Sequence, residues 1–183
     1  MAVALGIAGL LLGRSGAGGL FDNVRDAVGG DGEGTAAPLA ITSATPFDPS
    51  GDGRENGDLA PNIFDGDPGS AWRTEGYNDR DITRLKDGVG IILELGAAAT
   101  LEQLELQSPT NDWKAVIYVA GTPAGDLAGW GDPVATTANL PAGTNVVDLG
   151  GAQGRAVLVW IIDRGDARGR APAEIQEARL LGR

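Results

Sequence analysis

The chain has 183 residues, including 30 glycines and 10 prolines, and carries a formal net charge of −11 at pH 7. This length accommodates one domain of ordinary size with an appendage. The acidic balance argues against nucleic-acid binding, because no basic surface remains to neutralise phosphates. The sequence contains no Cys and no His, which excludes disulfides, thiolate metal sites and the usual histidine base of hydrolases. Chemistry based on paired carboxylates, or on a hard cation held by oxygen ligands, is what remains.

The N-terminal residues differ in composition from the rest of the chain. Residues 2–12 form an unbroken run of apolar residues and glycine, AVALGIAGLLL, which is shorter than the roughly 20 residues that span a bilayer. We interpret residues 1–13 as part of a membrane helix that begins upstream; a weak signal sequence and a buried core helix are the alternatives. Residues 14–38 are rich in Gly, Asp and Ala, which predicts a flexible linker.

From residue 39 onwards the hydrophobic pattern is typical of β-strands. Residues 101–107 alternate apolar and polar side chains, as a strand with one buried face does. Residues 156–162 are continuously apolar, which favours a central strand covered on both faces. The predicted strands are 39–45, 90–95, 101–107, 114–120, 145–149, 156–162 and 174–181. Turn residues and no helical crossovers separate them, so the sequence predicts an all-β, antiparallel two-sheet β-sandwich or jelly roll over residues 39–183.

One segment, NIFDGDPGSAWRT at 62–74, resembles the signature of discoidin domains and related carbohydrate-binding modules of the galactose-binding-like fold. In that signature an apolar residue precedes Asp-Gly-Asp, a small hydroxyl residue and Trp. The matching residues here are Ile63, Asp65, Gly66, Asp67, Ser70 and Trp72. The resemblance extends through the later strands over 39–183 and implies a discoidin-like sandwich, in which we expect Trp72 to be a core anchor.

A narrower resemblance covers residues 47–77 and 85–96. These segments resemble the external C-terminal domain of actinobacterial membrane pseudokinases associated with the peptidoglycan lipid flippase. In that architecture the sandwich follows one membrane helix and a tether. The resemblance implies a single-pass protein of the cell membrane, with the sandwich on the extracytoplasmic side.

Two acidic loops are candidate sites for structural Ca²⁺. By resemblance, sandwich modules often hold calcium at the signature loop, and the matching residues are Asp65, Asp67, Ser70 and, on the final strand, Glu174. A hard cation favours such an all-oxygen set, although hydrogen bonds alone could also satisfy the loop. The second loop places oxygen side chains at the first, third and fifth positions of an EF-hand-like pattern but lacks its final Glu. Its residues are Asp48, Ser50, Asp52 and Asn56, which could equally be turn-forming side chains.

The loops at one end of the sandwich are the expected place for a ligand. Aromatic faces beside polar side chains suit sugar recognition. The candidate ligand-binding residues are Arg73, Tyr77, Asn78, Asn111, Trp113, Arg164 and Arg168.

The sequence therefore predicts a non-catalytic, extracytoplasmic binding or interaction module for a cell-envelope glycan or an envelope protein. A structural spacer or cap without a small ligand is the alternative. A carboxylate-pair glycosidase is less favoured, because no pair stands out among the 25 acidic residues.

Overall fold

The computed structural model describes residues 36–166 and 168–183. The predicted apolar segment 1–13 and most of the predicted linker lie outside the described residues, so the membrane helix stays a prediction. Within the described ranges, no helix is long and apolar enough to cross a bilayer. The first strand begins at Ala37, inside the segment predicted as linker.

The described residues form nine strands and three short 3₁₀ helices. The strands are β1 (Ala37–Leu39), β2 (Ile41–Phe47), β3 (Trp72–Arg73), β4 (Val89–Ser108), β5 (Lys114–Ala120), β6 (Ala135–Thr136), β7 (Gly143–Asp163), β8 (Glu174–Ile175) and β9 (Glu177–Gly182). The 3₁₀ helices span Gly57–Phe64, Ile82–Arg84 and Ala128–Trp130. The larger sheet has the order β1-β9-β4-β7-β5-β6, with β2 also paired to β4, and β3 pairs with β8 in a small second sheet. All of these pairings are antiparallel, as predicted.

The long antiparallel pair of β4 and β7 runs through both layers of the sandwich. Each of these strands joins two strands that the sequence predicts separately, because pairing resumes after a register shift between Glu94 and Ala99 instead of ending there. Both ends of β4 reach the same region. At its start, Val89 pairs with Ile161 near the end of β7. Just beyond its other end, the backbone carbonyl of Asn111 accepts a bond from the Asp166 amide, also close to the end of β7, at 2.9 Å. The strand therefore doubles back at its irregular middle, as bulged strands do.

The core lies between the two layers, and β7 is covered on both faces. Val159 and Ile161 belong to the main cluster, which also contains Trp72. Leu158 and Trp160 face the opposite way, into a second cluster. The continuously apolar run 156–162 is therefore a central strand, as predicted, and Trp72 is fully buried.

The fold places the long connecting loops at one end of the sandwich and the two ends of the described chain at the other. We call one end the loop pole, formed by residues 48–56, 73–88, 109–113, 137–142, 164–166 and 168–173. The opposite pole contains the middle of β4 and both ends of the described chain. There Ala37 pairs with Gly182, and the Thr100 amide donates to the Arg183 carbonyl at 2.6 Å.

Candidate functional site

Arg80 ties three loops of the loop pole together. Its Nε donates to Asp163 Oδ1 at 2.9 Å, its Nη1 to Asp112 Oδ2 at 3.0 Å and its Nη2 to the Asp112 carbonyl at 2.8 Å. These bonds, above all those to Asp163, raise the pKa of Arg80 above its ordinary value. The guanidinium therefore acts as a fixed link, and its charge is balanced by two carboxylates.

Arg164 is a second link, not a group presented to solvent. Its side chain is buried, with Nε donating to the Asp79 carbonyl at 2.9 Å and Nη1 to the Ala171 carbonyl at 2.7 Å. Satisfying these carbonyls orders the loop after β7. The structure thus gives Arg164 a supporting place in the predicted ligand site, because burial keeps its donors from a ligand.

Trp113 also lies beneath the loop pole instead of on it. Its side chain is 1% exposed and belongs to the main core. Trp72, Trp130 and Trp160 are buried as well, and among the described aromatic residues only Phe64 and Tyr77 are half-buried. The loop pole therefore offers no open tryptophan face for a sugar ring to stack on.

The remaining predicted ligand residues lie at or near the surface. Arg73, Asn78, Asn111 and Arg168 are exposed. Tyr77 is half-buried, and its hydroxyl donates to Glu55. These residues share the loop pole without forming one cluster, and only Asn111 lines a groove there.

That groove is shallow and open, with a volume of about 240 Å³, and it is lined by Asn111, Asp112, Asn139, Pro141 and Asp166. Asn111 is fixed in it, since its Nδ2 donates to Asp166 Oδ2 at 3.3 Å and its Oδ1 accepts from the Ala142 amide at 3.3 Å. Asn139 is exposed and, among the described residues, its side chain forms no hydrogen bond. Sequence reasoning missed Asn139 and Asp166, because the turns that carry them meet only through the fold.

The signature loop gathers oxygen atoms around Ser70. The Ser70 hydroxyl lies 2.8 Å from Asp65 Oδ2, 3.1 Å from the Asp67 carbonyl and 3.5 Å from the Asn62 carbonyl. A hydroxyl donates only one hydrogen bond at a time. Two of these three acceptor oxygens therefore face the Ser70 oxygen without a proton between them. The Asp67 amide and the Ser70 hydroxyl donate to Asp65 and lower its pKa.

Glu174 lies away from this loop, whereas Glu177 joins it. The Glu174 carboxylate is 3.9 Å from Arg73 Nη1. Glu177 is 6% exposed, and its buried Oε1 has no hydrogen-bond partner among the described residues. Burial raises the pKa of Glu177 and the nearby Asp65 charge adds to this, although the Gly66 amide opposes it. The final strand β9 thus contributes a carboxylate to the loop through Glu177, whereas the predicted Glu174 lies on β8.

The oxygen set at the signature loop fits a hard cation. Within the described ranges, no three acidic side chains are grouped closely enough to hold a metal by themselves. Two neighbouring carboxylates, a hydroxyl and backbone carbonyls are nevertheless the ligand types that Ca²⁺ takes. The unpartnered, buried Oε1 of Glu177 is the atom that a cation would compensate.

The second acidic loop is not assembled as a cation site. Asp48 Oδ1 lies 2.7 Å from Lys86 Nζ, so an ammonium already compensates this carboxylate. Asp52 accepts a bond from the Arg54 amide at 2.9 Å. Asn56 Nδ2 donates to backbone carbonyls of β3 and the next residue at 3.0 and 3.1 Å, and Ser50 is exposed. These contacts match the turn-forming alternative.

No protein-family model matches the chain, but solved structures share its fold. The CBM32 module of AlyQ, in complex with 4,5-unsaturated mannuronic acid, is 17% identical with a TM-score of 0.58; the match covers 79% of this chain and 97% of that one. Chitosan-binding module 1 from the chitosanase/glucanase of Paenibacillus sp. IK-5 is 20% identical with a TM-score of 0.56, covering 80% and 99%. The CBM32-1 and CBM32-2 domains of Clostridium perfringens ZmpB are 15% identical with a TM-score of 0.58, covering 88% and 38%.

The chain therefore has the galactose-binding-like β-sandwich fold seen in CBM32 carbohydrate-binding modules. This confirms the predicted fold class. The narrower resemblance to the external domain of membrane pseudokinases stays a prediction.

Proposed function

We propose that this chain is a non-catalytic glycan-binding module whose loop pole recognises a polysaccharide of the cell envelope. The observation that carries the proposal is the convergence of separate loops on one polar groove, held in place by Arg80. Solved modules of the same fold bind an unsaturated mannuronic acid, chitosan and pectin. An envelope protein is the alternative partner.

The groove indicates how a glycan would be held. Its amide and carboxylate side chains can bond sugar hydroxyls, while the tryptophans of the fold are all buried. Recognition would then rest on hydrogen bonds in a shallow, wet site, where each bond contributes only about 0.5–1.5 kcal/mol. We expect weak binding to single sugars and stronger binding to polymers that occupy several modules at once.

We place the module outside the membrane, anchored as a single-pass protein through residues 1–13. The apolar run at 2–12 and the pseudokinase resemblance support this proposal. Within the sandwich, the described chain begins at the pole opposite the binding loops.

We also infer that the signature loop holds structural Ca²⁺. Asp65 and Glu177 would supply carboxylates, and Ser70 and the Asp67 carbonyl would supply the neighbouring oxygens. A bound cation would neutralise two adjacent carboxylates and tie the loop to β9.

Titration of the full chain in detergent with alginate, chitosan, pectin and peptidoglycan fragments tests the proposed function. Asn139→Ala should weaken binding of whichever glycan binds by roughly two- to twelvefold, the equivalent of one hydrogen bond, and should leave the melting temperature unchanged. Gln153→Ala is the matched control, because this exposed amide lies at the opposite pole, beside Thr100. Equal affinities for the two variants, or no binding to any of the glycans, would contradict the proposal.

A further inference from the structure

A buried charged cluster lies beneath the loop that carries Arg80. It consists of Asp48, Glu55, Lys86 and the hydroxyl of Tyr77. The side chains of Asp48 and Glu55 are 2% and 1% exposed, and that of Lys86 is 12% exposed. Two carboxylates thus share one ammonium, so the loss of Lys86 would leave both buried charges uncompensated, whereas the loss of one carboxylate leaves the other paired with Lys86.

Glu55 is the hub of this cluster. Its Oε2 accepts the Glu75 amide at 2.6 Å, and its Oε1 accepts both the Tyr77 hydroxyl and Lys86 Nζ, the latter at 3.1 Å. Its backbone carbonyl accepts Trp72 Nε1 at 2.8 Å. A single residue therefore contacts residues 72, 75, 77 and 86. The bonds from residues 75, 77 and 86 go to its carboxylate, and bonds to a charged acceptor are stronger than neutral ones.

The next residue reinforces the same attachment. Asn56 has a left-handed backbone, with φ of 50°, and its side-chain amide donates to the carbonyls of Arg73 and Thr74. Residues 55 and 56 thus fix the start of the loop, while Lys86 fixes its end. The part left between these attachments contains Asp79 and Arg80.

That intervening part makes the bonds that assemble the loop pole. The Asp79 carbonyl accepts Arg164 Nε, and Arg80 reaches Asp163 and Asp112. Asp112 also lines the groove. A shift of Tyr77 would therefore move Arg80, three residues later, and through it one wall of the groove.

We propose that Glu55 is a positioning residue that sets the conformation of the 73–86 loop and, through Arg80, the shape of the groove. The effect on a ligand rests on the proposed glycan-binding function, whereas the effect on the loop does not. Glu55 touches no part of the groove, so its influence is indirect.

Glu55→Gln tests this proposal, with Asp48→Asn as the matched control. Each substitution removes one carboxylate charge from the same cluster and leaves Lys86 paired with the other. Only Glu55→Gln weakens the bonds to Glu75 and Tyr77. A third variant, Glu94→Gln, removes a carboxylate that faces Arg155 outside the cluster.

Two spectroscopic readouts need no ligand: the amide resonances report on the conformation of the loop, and the Tyr77 titration reports on the contact between its hydroxyl and Glu55. We expect the amide resonances of residues 75–81 to shift in Glu55→Gln and to stay in place in Asp48→Asn and Glu94→Gln. Burial and the Glu55 carboxylate raise the pKa of Tyr77, so its ultraviolet titration in Glu55→Gln should move toward the ordinary value. Tyr118, the other tyrosine of the chain, should be unaffected.

The affinity for glycan then tests the consequence. At a temperature well below melting, Glu55→Gln should lower the affinity about tenfold, the effect of one lost charge-assisted bond, and Asp48→Asn should retain most of it. Unchanged resonances and an unchanged Tyr77 titration in Glu55→Gln would overturn the proposal. A Glu55→Gln variant that bound glycan with the affinity of the wild type would overturn it as well. If the wild-type protein bound no glycan while the loop signals still shifted, the proposed function would fail and the positioning of the loop by Glu55 would stand.

Discussion

Replacing Glu177 with Gln separates the cost of a buried carboxylate from its use as a cation ligand. Without a cation, Glu177 lies buried beside Asp65, and its pKa is raised above the ordinary 4.5. The Glu177 carboxyl therefore binds its proton more tightly in the folded state than in the unfolded state. Folding stability should therefore fall as the pH rises from about 4.5 through the raised pKa. Glu177→Gln should remove this fall, and in chelator at neutral pH the variant should be the more stable protein.

Calcium should reverse that order. A ligand that binds only the folded state contributes about 2.7 kcal/mol at 100 times its Kd. For a domain of this size, each kcal/mol raises the melting temperature by about 2–4 °C, so the wild-type protein should gain roughly 5–11 °C. Glu177→Gln should lose most of this gain, because the variant supplies a neutral amide where the cation needs a carboxylate.

The assay is a set of thermal melts in EDTA and in excess calcium, for the wild type and two variants. Glu174→Gln is the control, since this glutamate faces Arg73 and not the signature loop, and it should keep the wild-type calcium response. An equal calcium response in Glu177→Gln, or no response in the wild type, would refute the reasoning. Asp65, Asp67 and Ser70 would then be turn-forming residues only.

Two further predictions concern the support of the loop pole. Trp72→Phe removes the bond from Nε1 to the Glu55 carbonyl and should cost about 1–3 kcal/mol in urea unfolding, because a buried acceptor loses its partner. Gly88→Ala should cost a similar 1–3 kcal/mol, roughly that of overpacking, since a Cβ there would lie 2.6 Å from the Trp160 ring and φ is 144°. Gly125→Ala, which has open space around it, should change stability by less than about 0.5 kcal/mol. A neutral Gly88→Ala would contradict the packing argument.

From the alternation of apolar residues we could predict where strands occur, but not where each strand ends. β5 matches its prediction at both ends, because turn residues flank it. The middle of β4 contains Gly96 followed by three alanines, which reads as a connection between strands. In the fold these residues form an irregular stretch within one strand, and a bulge of this kind depends on its partner strand, which local sequence does not specify.

The candidate site was harder to predict because it depends on register and burial. Glu174 and Glu177 lie three residues apart, and the break between β8 and β9 decides which of them reaches the signature loop. The Gln176 amide donates to the Gln107 carbonyl at this break. Trp113 and Arg164 follow turn residues, so their sequence context resembles that of exposed loops, and only tertiary packing buries them.

The placement of the two poles has a mechanical consequence. β1 starts at the pole opposite the binding loops and runs alongside β9, with three paired positions from Ala37 to Leu39. A pull on residue 36, against a ligand held at the loop pole, would act along the strand axes. Such a load shears the paired positions together instead of unzipping them one at a time, so the unfolding rate under tension would govern how long the module holds.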